Sequence, residues 1–155
     1  MKVDTGTSHV RPATGDDLPA IERLLLAADL PVEGVAAALP EFVVVDDGTG
    51  VVGAAGLEWH GDHALLRSVV VAAEARGHGH GRAMIDRLLA PAGAGGAGVY
   101  LLTTTAARYF AALGFVAIDR NAAPAAIRSS PEFASICPAD ATVMHRDNAR
   151  EGDSR

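Results

Sequence analysis

Seven consecutive residues, Arg76-Gly77-His78-Gly79-His80-Gly81-Arg82, set three alternating glycines between two arginines. Backbone N–H groups with so little side-chain obstruction, just ahead of a helix, meet the positive end of its dipole and suit a phosphate. The dinucleotide pattern GxGxxG fails because Arg82 stands at its third glycine, and the GxxxxGK(S/T) pattern is absent. The alternative is a tight strand-to-helix turn in which glycine only supplies unusual dihedrals. His60-x-x-His63 and His78-x-His80 have the look of metal pairs, but neither has a third convincing ligand, so no metal is expected. The first pair flanks a turn and reads as solvated; the second faces bulk water or whatever anion the loop holds. Cys137 is the only cysteine, which rules out an intrachain disulfide and reads as packing, with a nucleophile role as the alternative.

The elements around the loop follow from periodicity. Thr14 and Asp17 have capping-box spacing, and Leu18, Ile21, Leu24, Leu25 and Ala28 recur at helical intervals, which predicts a helix over about 16–29 stopped by Pro31. A short helical piece is expected over 32–39, before Pro40. Residues 42–45, 51–59 and 64–72 are β-branched or apolar runs separated by turn-like segments, so they read as an antiparallel meander of three strands. Met84, Ile85, Leu88 and Leu89 share one face of a helix over 82–90 that Pro91 and the following glycines should end. A buried strand over 97–103, an N-cap region at Thr103–Thr105, a helix over 106–113 and a cap at Gly114 come next. Strand-like pieces remain at 115–118 and 142–144. Strand 64–72, helix 82–90 and strand 97–103 form a βαβ unit. The expected fold is mixed α+β, a mostly antiparallel sheet with one βαβ crossover, in a single domain over 1–146 with a polar tail from 147 to 155.

Composition bounds the function. A chain of 155 residues, 49% hydrophobic and 21% charged, with mean hydropathy +0.19, suits one globular domain without a membrane span. Its 13 basic and 19 acidic side chains give a net charge of −6, the wrong sign for a protein that tracks nucleic-acid phosphates. Any anionic ligand must meet a local patch. The start MKVDTGTSH has no apolar stretch like that of a signal peptide, so the cytoplasm is the expected location.

Val69-Val70-Val71, then Arg76-x-x-Gly79-x-Gly81 with its amphipathic helix, then Tyr109-Phe110-Ala111-Ala112-Leu113-Gly114-Phe115 resemble the GCN5-related N-acetyltransferases over roughly residues 9–119. Within that superfamily, Leu66-Arg67-Ser68-Val69, Leu101 to Ala106 and the segment from Pro124 through Arg128 to Cys137-Pro138 resemble the arsenic-resistance-associated N-acetyltransferases. The resemblance implies a GNAT-like fold and acetyl-CoA as cosubstrate. The backbone of Val69, Val70 and Val71 would pair with the pantetheine arm, with the Val71 N–H at the thioester carbonyl. Arg76, Gly77, His78, Gly79, His80, Gly81 and Arg82 would wrap the pyrophosphate, and Thr103 and Phe110 fall on the coenzyme side. A homodimer is compatible with the family, although no segment marks an interface.

The catalytic groups are less regular. A thioester is already activated, so the protein has mainly to align an amine, take its proton and stabilise an oxyanion. The position where the superfamily often has a tyrosine general acid is Phe110. Tyr109 is next door but about 100° round the helix, so its hydroxyl is expected to leave from another side; the thiolate is expected to depart unprotonated or via water, with Tyr109 as general acid the alternative. The strand position of the familiar glutamate base holds Leu66-Arg67-Ser68. Glu58, His60 and His63 are the candidate replacements, or water alone. By alternation Arg67 is expected to share a face with Val69 and Val71, either as ion-pair partner of Glu58 or as a clamp for an acceptor carboxylate. Ser68, Thr104 and Arg128 are further acceptor-side candidates, and Arg120 is another. The resemblance points to the primary amine of a small amino-acid-like acceptor, such as a glutamate-like organoarsenical or a phosphinothricin-type compound, with detoxification as the outcome. The rival readings are an N-acetyltransferase for another amine, such as a peptide N terminus, and a non-catalytic acyl-CoA-binding module.

Overall fold

A computed structural model describes residues 8–95, 98–131, 133 and 141–147. Its strands are β1 (His9–Pro12), β2 (Phe42–Asp46), β3 (Val51–His60), β4 (His63–Val71), β5 (Gly98–Thr103), β6 (Val116–Ile118) and β7 (Thr142–Asp147). The helices are α1 (Leu18–Ala27), α2 (Val35–Ala38), α3 (His80–Gly95), α4 (Ala107–Ala112) and α5 (Ala125–Arg128). The seven strands form one sheet of order β1-β2-β3-β4-β5-β7-β6. It is mostly antiparallel, and the β4–β5 pair is parallel, with Ala64 opposite Val99 and Leu65 opposite Tyr100. That parallel pair, joined through α3, is the βαβ crossover the sequence predicts, because parallel neighbours need a long connection.

The described residues up to Leu57 together with Ser68–Leu88 make one compact unit, and Glu58–Arg67 with the residues from Leu89 onward make another. In the first unit α1 turns Ile21 and Leu25 inward, both fully buried, against Val35, Phe42, Val44, Ala54 and Val70. Their i, i+4 spacing is what makes one helix face apolar. At the start of that helix the Thr14 N–H donates to the Asp17 carboxylate at 2.8 Å, one arm of the expected capping box. Arg11 of β1 reaches both Asp17 oxygens at 2.8 and 3.0 Å and the Asp46 carboxylate at 3.2 Å. Gly53 lets α3 come close: a Cβ there would lie 3.2 Å from the Met84 Cε and 3.2 Å from the Val70 carbonyl oxygen. In the second unit Leu65, Tyr100, Ala123, Ile127, Phe133 and Val143 form the core.

The structure departs from the periodicity in five places. The helix expected over 16–29 begins as a 3-10 turn, Gly15–Asp17, in which the Asp17 N–H donates to the Thr14 carbonyl at 2.9 Å. The 32–39 piece is one α turn followed by a 3-10 turn, Leu39–Glu41, that runs through Pro40, whose fixed φ suits the first turn of a helix. Pro91 does not end α3, which continues to Gly95. The proline denies the Arg87 carbonyl its N–H donor, a cost of about 3 kcal/mol, inside a helix whose earlier turns bury Met84, Ile85, Leu88 and Leu89. Asp147, assigned to the polar tail, closes β7 opposite Gly98. Finally, Ser68 has φ +60°, the left-handed region, which interrupts the alternation of β4. The expected sharing of one face by Arg67, Val69 and Val71 therefore fails, since a strand keeps a common face only while successive residues stay extended. Cys137 lies outside the described residues.

Candidate functional site

At the end of β4 the Ala72 N–H donates to the Val52 carbonyl at 2.8 Å, across to β3. Successive peptide groups of a strand point to opposite sides, so the N–H and C=O of Val71 point away from β3. The Val70 side chain is 5% exposed and belongs to the core, so only its backbone can serve a ligand, while Val69 and Val71 are half-buried. The Arg76 Nε donates to the Val71 carbonyl at 3.0 Å.

The loop then turns at Gly77 (φ +87°) and Gly79 (φ +81°). A Cβ at either would meet nothing within 4 Å, so glycine is needed here for its dihedral angle rather than for space. The Gly79 carbonyl accepts the first helical bond, from the Ala83 N–H at 3.0 Å. The glycine loop thus leads straight into the first turn of a 16-residue helix, at the positive end of its dipole. Arg76, His78 and Arg82 are exposed there, and His80 is half-buried with its ring centroid 5.9 Å from that of His78. The His78 Nδ1 lies 3.2 Å from the Ala75 carbonyl. Backbone donors and two guanidinium groups make this loop fit to hold an anion.

The other candidates lie in the second unit. Arg67, 3% exposed, donates from Nη1 to the Glu58 Oε2 at 2.5 Å, so the ion pair is formed. The other oxygen, Glu58 Oε1, lies 3.2 Å from the His60 Nε2. Both Glu58 oxygens are thus engaged, one with a buried cation and one with a half-buried imidazole. The expectation that His60 and His63 are solvated does not hold. His63 stands edge-on to Tyr100 at 5.8 Å, and its buried Nδ1 has no hydrogen-bond partner among the described residues. Tyr100 in turn packs on His145 at 4.7 Å, and burial holds that imidazole below its ordinary pKa and the phenol above its own.

Phe110 is 7% exposed, packed edge-on against Phe115, whereas the neighbouring Tyr109 is 44% exposed. The Tyr109 ring stands edge-on to that of Phe110, with centroids 5.2 Å apart, although helical neighbours are set about 100° apart. The Thr103 hydroxyl accepts the Ala106 N–H at 2.9 Å in the turn before α4, but the N-cap is Ala106 and carries no side-chain cap, so the N-cap role expected of Thr103–Thr105 is not formed; Thr104 is exposed. Arg128, exposed, donates from Nε to the Ala123 carbonyl at 3.0 Å, and Arg120 donates to the Phe133 carbonyl at 3.2 Å. Two features escaped the sequence reading: the back-bond from Arg76 to Val71 and the contact of His60 with Glu58. The second had a signal, since residues two apart on a strand share a face. Among the described residues no group of three or more His, Cys, Asp or Glu side chains could hold a metal ion, and no helix is long and apolar enough to cross a membrane.

The family model for the acetyltransferase (GNAT) domain matches residues 39–117, the stretch that contains β2 to β5, the glycine loop and α3. The chain belongs to the GNAT acetyltransferase family. Solved structures agree on the fold. N-acetylglutamate synthase from Neisseria gonorrhoeae, complexed with coenzyme A and N-acetyl-glutamate, superposes with a TM-score of 0.77 at 19% identity over 90% of this chain. This GNAT chain spans only 34% of that synthase. Rv2747 from Mycobacterium tuberculosis, in complex with CoA and NLQ, gives 0.74 at 28% identity over 90% of this chain and 98% of its own. Arabidopsis thaliana Naa50, in complex with the bisubstrate analogue CoA-Ac-MVNAL, gives 0.70 at 17% identity over 90% of this chain and 98% of its own. No curated protein matches this chain.

Proposed function

We propose that this GNAT domain transfers the acetyl group of acetyl-CoA to the primary amine of a small, glutamate-like amino acid. The observation that carries the donor half is the Gly77–Gly79 turn, which delivers the first-turn amides of α3, with Arg76 and Arg82 beside them, directly after the end of β4. The CoA-bound neighbour of 28% identity supports the same donor. In this reading the pyrophosphate lies on the amides of residues 77–82, and the pantetheine arm runs along the backbone of Val69 to Val71 on the side away from β3. The Val71 N–H donates to the thioester oxygen as it becomes an oxyanion.

The amine nitrogen attacks the thioester carbon, the tetrahedral intermediate collapses, the C–S bond breaks and the CoA thiolate leaves. Glu58 accepts the proton of the attacking amine, held in place by Arg67. The thiolate leaves unprotonated or via water, as a thiol's ordinary pKa near 8.5 allows, and Tyr109 is the alternative proton donor. Arg128 is the acceptor-side cation that remains exposed, and its fork suits the carboxylate of the acceptor. The finer assignment, an organoarsenical or phosphinothricin-type acceptor and a role in detoxification, rests on the sequence segments at Leu66 to Val69, Leu101 to Ala106 and Pro124 to Arg128.

Thiol release from acetyl-CoA, followed with a panel of amines, tests the reading. Turnover with glutamate, glutamine and phosphinic or arsenical analogues is expected. Turnover confined to peptides with a free N terminus, or to large polycations, would overturn the acceptor assignment. Strong thermal stabilisation by acetyl-CoA with no transfer to any amine would instead favour a non-catalytic module.

A further inference from the structure

We infer that Arg76 is a positioning residue for the acetyl thioester, acting through the backbone of Val71 in addition to any charge it offers the phosphates. The inference rests on the acetyl-CoA reading above. The peptide group joining Val71 to Ala72 is held at both ends: its N–H by the Val52 carbonyl at 2.8 Å and its C=O by the Arg76 Nε at 3.0 Å. This is the last peptide before the chain leaves β4 for the 3-10 turn Ala73–Ala75 and the glycine loop. The Val71 carbonyl points to the same side as the Val71 N–H, the proposed oxyanion donor. An arginine spanning from the loop to that carbonyl fixes the tilt of the strand end, and with it the direction of the neighbouring N–H. It also takes up one of the two lone pairs of the last carbonyl on that side. Because Nε carries this bond, the two Nη groups at the far side of the planar guanidinium are the ones that can meet phosphate.

Position along the side chain gives a discriminating test. The Nε2 of glutamine stands as many bonds from Cα as the Nε of arginine, so Arg76→Gln keeps a donor for the Val71 carbonyl while losing the charge. Arg76→Ala loses both. Initial rates are measured with acetyl-CoA and with S-acetylpantetheine, which carries no phosphate, and melting curves confirm that these exposed substitutions leave the fold intact. With S-acetylpantetheine, Arg76→Ala is expected to lower kcat about tenfold, the size of one hydrogen bond's net contribution, and Arg76→Gln to recover most of it. With acetyl-CoA both variants raise the donor KM. A wild-type chain active on both donors whose Arg76→Ala variant keeps its kcat on S-acetylpantetheine, or whose Gln and Ala variants fall equally, would overturn the positioning role alone. A wild-type chain that turns over neither donor would overturn the donor reading and this inference with it.

Discussion

Glu58 is held between a buried cation and an imidazole, and each contact serves a different purpose. The Arg67 guanidinium, with its side chain 1% exposed, needs a carboxylate beside it because an unpaired buried charge is costly. His60, with a side chain 22% exposed, lies 3.2 Å from the other oxygen of the same carboxylate, and if Glu58 takes the amine proton as proposed, the imidazole offers that proton a way to water. Glu58→Gln is therefore expected to lower kcat about 10²-fold or more, with the acetyl-CoA KM little changed, in steady-state assays. The same variant should melt earlier, because it removes the carboxylate charge beside the buried Arg67 guanidinium. A matching loss in donor affinity would show that Glu58 serves the coenzyme instead. Glycine at 79 makes an independent claim. Alanine at φ +81° costs roughly 1–2 kcal/mol without any clash, while asparagine tolerates the left-handed region better. Calorimetric affinity for acetyl-CoA should fall in the order Gly79, Asn, Ala; equal affinities would mean the turn adapts without its glycine.

At the scale of elements, the network of Arg11, Asp17 and Asp46 ties β1, the entry to α1 and the end of β2. The Asp17 carboxyl is held below its ordinary value of 3.8, chiefly by the Arg11 hydrogen bond, against the opposing effect of burial and with help from the Thr14 N–H. A folded-state pKa below the unfolded one means that the ionised form stabilises the fold at pH values above the unfolded pKa. That contribution is lost as pH falls through the depressed folded value. Asp17→Asn should therefore cost about 1–2 kcal/mol near neutral pH, with the gap to wild type narrowing below about pH 4, as followed by thermal melts across the acid range. A gap independent of pH would remove charge from the explanation. Much of this scaffold was legible in advance: the i, i+4 spacing of Ile21 and Leu25 and the Thr14–Asp17 cap are local patterns, as are the β-branched runs of β2 to β4. The order β5-β7-β6 was not, because periodicity says which face of a strand is buried and not which neighbour it takes. Ser68 hid the break in β4 for a related reason. A serine carries no marker of a left-handed dihedral, whereas Gly77 and Gly79 announce theirs.

For the whole molecule, the net charge of −6 and the proposed polyanionic donor make opposite predictions about salt. If the summed acidic charge governed encounter, added salt would screen a repulsion and tighten binding. The loop argues for the reverse. Two exposed arginines flank the start of α3 in that loop, and if the phosphates bind there as proposed, short-range attraction outweighs distant charge once the screening length is about 10 Å, near 0.1 M salt. Affinity for acetyl-CoA is accordingly expected to fall as sodium chloride rises from about 0.05 to 0.5 M, a range over which the screening length shrinks severalfold. The KM for S-acetylpantetheine, which has no phosphate to hold, should stay nearly constant over the same range. Tighter acetyl-CoA binding at high salt would show that the acidic surface dominates and that the arginines at 76 and 82 do not form the phosphate site. A parallel fall for both donors would place the salt effect in the fold rather than in the loop.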